Sequence, residues 1–141
     1  MSTLNIIYYT GTGNTQDMAK YIGEGAESIG VSVKLINVEE ADETAADADF
    51  IAFGSPAGGA EEVAPEMVEF IEGIKDKISG KTIGLFGSYD WGQGGWMETW
   101  REEMIAENLS VADDGLIIHL SVDDDEKIEK CREYGKAIVS Q

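Results

Sequence analysis

The chain is short of several residues on which protein chemistry is commonly built. Among 141 residues there is one cysteine, Cys131, one histidine, His119, and two prolines. A single cysteine cannot close an internal disulfide, and one cysteine with one histidine cannot assemble a zinc or iron–sulfur ligand set. Metal-centred and histidine-based catalytic chemistry are therefore disfavoured. Cations are also scarce: ten Lys and Arg stand against 28 Asp and Glu, for a formal charge of −18. Such a surface repels nucleic-acid phosphates and anionic membranes and suits basic protein partners. No window approaches the ~18 consecutive apolar residues of a membrane span. The N-terminus lacks the basic segment and hydrophobic stretch of a signal peptide, so the cytoplasm is the expected location. Neither an internal repeat nor a low-complexity linker is found. What the chain does have is a 43% apolar content, enough for one domain over residues 1–141 with a core covered on two sides by helices.

Periodicity orders the chain. Residues 4–9 are a short apolar run followed at once by a Gly/Thr/Asn cluster, which reads as a buried strand entering a loop. Met18, Ile22 and Ile29 then recur at helical spacing up to about Ser28, and Gly30 supplies a stop. Residues 32–37 form a second strand, residues 39–49 an acidic stretch with room for only a short helix, and residues 50–55 a third strand. Pro65 opens a helix whose apolar face is Met67, Phe70, Ile71, Ile74 and Ile78, ended by Gly80. A fourth strand over 82–88 runs into a Gly/Trp-rich loop and a helix to about Glu107. Residues 115–120 read as the fifth strand. The acidic run 123–126 reads as the N-terminus of a last helix, where negative charge is stabilising. Regular alternation of strand and helix implies a parallel sheet with right-handed crossovers and helices on both faces, with ligands bound beyond the carboxyl ends of the strands. Three unusual loops, residues 10–15, 55–64 and 89–96, all follow strands and should gather there.

The first loop, Thr10, Gly11, Thr12, Gly13, Asn14 and Thr15, offers hydroxyls, an amide and closely spaced backbone N–H groups at a helix N-terminus, a neutral cradle suited to one phosphate. It is not a triphosphate-binding P-loop, because no Gly-Lys-Ser/Thr closes it. Nor is it a dinucleotide fingerprint, because Gln16 replaces the third glycine. The bland reading is a glycine-bearing turn capped by Thr or Asn. Elsewhere no side chain has the setting of a general acid, base or nucleophile. His119 reads as a surface or strand-end residue, and Cys131 lies with Ile128, Gly135 and Ile138 on a helix face that should be buried. Trp100 and Met104, at helical spacing, read as core.

The first loop resembles that of the flavodoxin family, Ser/Thr-x-Thr-Gly-Asn-Thr, matched by Thr10, Thr12, Gly13, Asn14 and Thr15. The likeness extends through Ser55, Pro56, Ala57, Gly58, Gly59, Ala60 and Glu61, and through Phe86, Gly87, Ser88, Tyr89, Asp90, Trp91, Gly92, Gln93, Gly94, Gly95, Trp96 and Met97, and is strongest to short clostridial-type flavodoxins. The resemblance implies a flavodoxin-like three-layer α/β/α sandwich with a five-stranded parallel sheet in the order 2-1-3-4-5. It implies FMN as a non-covalent cofactor, its phosphate in the first loop and its ring between the second and third. Trp91 is the expected outer ring on the flavin, with Ser88, Tyr89 and Trp96 at the same pocket and Glu61 at the flavin N3–H. Residues 58–60 form the turn that flips beside N5 and stabilises the neutral semiquinone, a motion that consecutive glycines allow. Two positions depart from the pattern: Gly58 stands where methionine is usual, and Asp90 where glycine is usual. The function implied is a low-potential one-electron carrier between redox enzymes, a monomer served by ferredoxin-using oxidoreductases or flavodoxin reductases. A small FMN-dependent NAD(P)H or quinone reductase on the same fold is the alternative, and a phosphoacceptor receiver domain of similar topology is disfavoured by the first loop.

Overall fold

A computed structural model describes residues 2–9, 13–57, 62–90, 95–112 and 115–140. In chain order the elements are β1 (Thr3–Tyr8), α1 (Asn14–Glu27), β2 (Ser32–Asn37), two short 3-10 turns (Val38–Glu40 and Glu43–Ala46), β3 (Phe50–Gly54), α2 (Pro65–Ile74), β4 (Thr82–Tyr89), α3 (Gly95–Ala106), β5 (Ser110–Val111), β6 (Leu116–His119) and α4 (Asp125–Val139). The sheet is parallel in the order β2-β1-β3-β4-β5, with β6 also on β4. This is the doubly wound arrangement expected from the alternation of elements.

Each face of the sheet has its own core. Leu4, Ile6, Met18, Ile22, Phe86, Cys131, Tyr134 and Ile138 pack on the α1/α4 side, whereas Ile7, Phe53, Met67, Ile71, Ile83, Leu85, Trp100 and Met104 pack on the α2/α3 side. Successive residues of β1 point to opposite cores, so the strand is apolar on both faces, as a central parallel strand must be. Each large side chain so buried contributes ~1.5–3 kcal/mol. Helices α1 and α4 meet at two glycines. A Cβ on Gly25 would stand 2.0 Å from the Arg132 carbonyl oxygen, and one on Gly135 would stand 2.0 Å from that of Ile22. The contact is backbone against backbone, tied at its rim by the Arg132 guanidinium on Glu24 at 2.9 Å.

The helix signals behaved as their chemistry requires. Gly30, just past α1, takes a positive φ of 92°. Asp124 caps α4 by accepting the Lys127 N–H, with Asp125 and Glu126 in its first turn. Three expectations need correction. Ile29 fits the helical spacing but lies past the end of α1 and is half exposed. The helix from Pro65 ends at Ile74, so Gly80, with φ 85°, closes the following turn rather than the helix, and Ile78 reaches the core from that turn. The fifth strand is not the single segment 115–120. It is split into β5, which pairs with Thr82–Ile83, and β6, which pairs with Phe86–Tyr89.

The split has a structural consequence on β4. Gly84 and Leu85 lie between the two registers, and the Leu85 N–H donates to the Tyr134 hydroxyl of α4 at 2.9 Å. Gly84 makes room for this approach, since a Cβ there would meet Ile138 Cδ1 at 2.5 Å and the Tyr134 hydroxyl at 3.4 Å. A buried backbone donor must find an acceptor, and α4 supplies it.

Candidate functional site

At the carboxyl edge of the sheet the stems of the three loops are bonded to one another. The Tyr9 N–H donates to the Gly54 carbonyl at 2.9 Å, which ties the first loop to the second. The Ser55 N–H donates to the Phe86 carbonyl at 3.1 Å and the Ala57 N–H to the Ser88 carbonyl at 2.9 Å, so the second loop begins by continuing the β3–β4 ladder. The Thr15 and Ser88 hydroxyls, both buried, share a hydrogen bond of 3.0 Å that ties the first loop to the third. Ser88 is thus the hub, with its side chain toward the first loop and its carbonyl toward the second.

The first loop meets α1 at Gly13, whose φ of 95° is left-handed and which provides no side-chain cap. The first-turn amides of a helix lack intrahelical acceptors, and with the macrodipole they favour an anion. Among the described residues no atom lies within 4 Å of where a Cβ on Gly13 would stand. Thr10, Gly11 and Thr12 lie outside the described residues.

In the second loop Ser55 is fully buried and both capacities of its hydroxyl are in use. It accepts the Ala64 N–H at 2.9 Å and donates to the Pro56 carbonyl at 2.9 Å. The hydroxyl therefore clamps the two ends of the loop together. Gly58, Gly59, Ala60 and Glu61 lie outside the described residues. Just beyond them, Glu62 and Val63 border a cleft of about 570 Å³ whose other wall is Gly95, Trp96 and Thr99 at the start of α3. Tyr9 is tied to the same region: the Glu66 carboxylate, by hydrogen bond and by charge, pushes the phenol above its ordinary pKa.

The third loop leaves β4 at Tyr89 and Asp90; Trp91, Gly92 and Gly94 lie outside the described residues. Trp96 is buried. It lies over Gly87, where a Cβ would meet its Cη2 at 2.3 Å and the Ser55 carbonyl oxygen at 2.0 Å, and it stacks on Trp100 at 6.2 Å between centroids. Among the described residues its indole N–H is the one buried side-chain polar group without a hydrogen-bond partner. His119, read from the sequence as a surface or strand-end residue without a role, is exposed at the end of β6, and its Nε2 lies 2.9 Å from the Asp90 carbonyl. A polar residue at the last position of an apolar strand was the signal available for it. No group of three or more His, Cys, Asp or Glu among the described residues could hold a metal ion.

The edge as described offers an uncapped helix start, hydroxyls and backbone donors, and the sequence of its first loop contains no cation. The chain matches the model of the Flavodoxin family over residues 6–135. The chain belongs to the flavodoxin family. Flavodoxins are FMN-binding electron carriers and not enzymes, and the reading of this member as such a carrier stands. It is 38% identical to the flavodoxin of Clostridium beijerinckii over 139 residues, covering 97% of this chain and 99% of that one. To the flavodoxin of Megasphaera elsdenii it is 33% identical over 136 residues, covering 95% and 96%. The solution structure of the two-electron reduced Megasphaera elsdenii flavodoxin superposes with a TM-score of 0.84 over 98% of this chain and 99% of that one. An archaeal flavodoxin, 27% identical, superposes with a TM-score of 0.88, covering 98% and 96%. Family, topology and the order of the strands therefore agree with the resemblance read from the loops.

Proposed function

We propose that the three bonded loops hold FMN and that the chain passes single electrons at low potential between redox enzymes whose docking faces are basic. The observation that carries this reading is the joining of all three strand-end loops through Ser88 beside the uncapped start of α1. Bound FMN supplies the redox chemistry, taking up and releasing electrons singly.

The chain's own residues do the rest. The α1 amides, with Thr10, Gly11, Thr12, Gly13, Asn14 and Thr15, would receive the terminal phosphate without a cation, so the phosphate charge would be met by backbone dipoles and neutral side-chain donors. Pro56, Ala57, Gly58, Gly59, Ala60 and Glu61 of the second loop, with Ser88, Tyr89, Asp90, Trp91, Gly92, Gly94 and Trp96 of the third, would hold the ring. Ser55 closes the second loop around them rather than reaching the phosphate, since its hydroxyl is already committed. Trp91 would offer its ring to the flavin, and an aromatic contact of that kind is worth on the order of 1 kcal/mol beyond the area it covers.

The formal charge of −18 acts on the potential. Each exposed carboxylate ~10 Å away raises the energy of an added negative charge by roughly 0.4 kcal/mol in water before screening. The same charge steers basic partners to the surface. No described helix is long and apolar enough to cross a membrane, and we place the protein in the cytoplasm as a monomer that leaves one flavin edge open to its partners.

Anaerobic redox titration of the FMN-loaded protein, followed by absorbance, tests the proposal. Two resolved one-electron steps, the second at low potential, are expected. Failure to bind added FMN, or a single two-electron step, would sink it. Steady-state oxidation of NAD(P)H with a quinone would favour the reductase instead.

A further inference from the structure

We propose that His119 is the positioning residue of the third loop, a latch between the end of β6 and the peptide that leads into Trp91. The inference rests on the flavin reading only for its consequence, not for the latch itself. Tyr89 and His119 are the last partners of the β4–β6 register. At that point the His119 ring turns back toward β4. Its Nε2 stands 2.9 Å from the Asp90 carbonyl oxygen, and its ring meets that of Tyr89 at 5.1 Å and 49°. A carbonyl oxygen only accepts, so Nε2 carries the proton in this contact. The Asp90 carbonyl belongs to the peptide that joins Asp90 to Trp91, and peptide planarity makes a bond to that oxygen a constraint on the whole plane.

The anchor is itself braced. Leu120 takes φ 61°, a left-handed conformation rare outside glycine, although it is 45% exposed and no core packing holds it there. Hydrogen bonds hold it. The Leu120 N–H donates to the Tyr89 carbonyl at 2.8 Å. From α4, Lys127 Nζ donates to the His119 carbonyl at 3.0 Å, to the Ser121 carbonyl at 3.1 Å and to Asp123 Oδ1 at 3.2 Å. A non-glycine residue kept in such a conformation by its surroundings is a feature of functional sites. The bonds run from α4 through Lys127 to the end of β6, and through His119 to Asp90. The loop they reach contains Gly92, Gly94 and Gly95, and glycine loses more conformational freedom on ordering than any other residue. A bond at its first carbonyl removes part of that freedom in advance.

Two variants separate the donor from the ring. His119→Phe keeps the contact with Tyr89 and removes the donor, whereas His119→Gln supplies an amide N–H at nearly the reach of Nε2. With FMN titrated into apoprotein, His119→Phe should raise the dissociation constant about threefold to tenfold, the effect of losing one neutral hydrogen bond, and His119→Gln should return it to within about twofold. Amide hydrogen exchange over residues 89–96 of the apoprotein should be faster in His119→Phe than in the wild type, with thermal unfolding little changed because the residue is exposed. Equal exchange and equal FMN affinity in His119→Phe and wild type would overturn the latch. So would failure of His119→Gln to recover anything that His119→Phe loses. Should the wild type take up no FMN, the flavin reading falls, while the exchange measurement, which needs no flavin, still decides the latch.

Discussion

Tyr134→Phe isolates one hydrogen bond at the split edge of the sheet. The Leu85 N–H donates to the Tyr134 hydroxyl at 2.9 Å, and Leu85 is fully buried, so water does not replace the lost acceptor. Phenylalanine fills the same volume, which removes the cavity cost that accompanies most core truncations. What remains is a buried backbone donor without a partner, at ~1–3 kcal/mol. A central figure of ~1.5 kcal/mol corresponds to roughly 3–6 °C in Tm for a domain of this size. Urea unfolding of the apoprotein, followed by far-UV circular dichroism, should show a lower midpoint with an unchanged slope. The exchange rate of the Leu85 amide should rise with it. A loss below about 0.3 kcal/mol would refute the reasoning, because an unpaired buried donor cannot cost so little. It would mean that the amide finds another acceptor when β4 relaxes.

Other outcomes follow from single contacts. Gly135→Ala places a methyl 2.0 Å from the Ile22 carbonyl; despite the helix propensity gained, denaturation should show a net loss of about 1–3 kcal/mol. Thr15→Val leaves the buried Ser88 hydroxyl without its partner, and should cost ~1–2 kcal/mol of stability in a melt and weaken FMN binding in a fluorescence titration. Burial raises the Cys131 thiol from 9.0 to about 12, so a thiol-specific disulfide reagent at pH 8 should react only after unfolding. The stability that comes with this raised value is fully present below the ordinary thiol pKa and fades as pH climbs toward about 12. The Lys127 ammonium, by hydrogen bond and then by charge, holds Asp123 below the usual carboxylate range. Its contribution is therefore present above that range and lost as pH falls through the lowered value, and Lys127→Met should move the Asp123 carboxyl upward in an NMR titration.

Local chemistry made most of the scaffold legible. Strand β1 is an apolar run ended by a glycine loop, α1 is stopped by a glycine with positive φ, and α4 starts at an acidic cap. These depend on neighbours a few residues away, which a sequence displays directly. The first loop was legible for the same reason, because its composition alone rules out triphosphate and dinucleotide cradles. The split of the fifth strand was not. Ser110–Val111 is two residues long, too short for any periodicity, and becomes a strand only because Thr82–Ile83 lies beside it. Ile29 misled by spacing, since the helix ended before the apolar position arrived.

By itself the sequence determined the class of fold and a neutral cradle for one phosphate, because both are written in contiguous patterns of apolar spacing and loop composition, while the family and its cofactor were implied by the resemblance of the three loops. The tertiary structure decided how the loops are joined. Ser88 with Thr15 spans 73 residues of chain, Tyr134 with Leu85 spans 49, and His119 with Asp90 spans 29. Partners so far apart leave no local pattern. Each pair forms because parallel register and helix packing bring one donor and one acceptor to the same buried or strand-end position, where the cost of leaving either unpaired selects the contact.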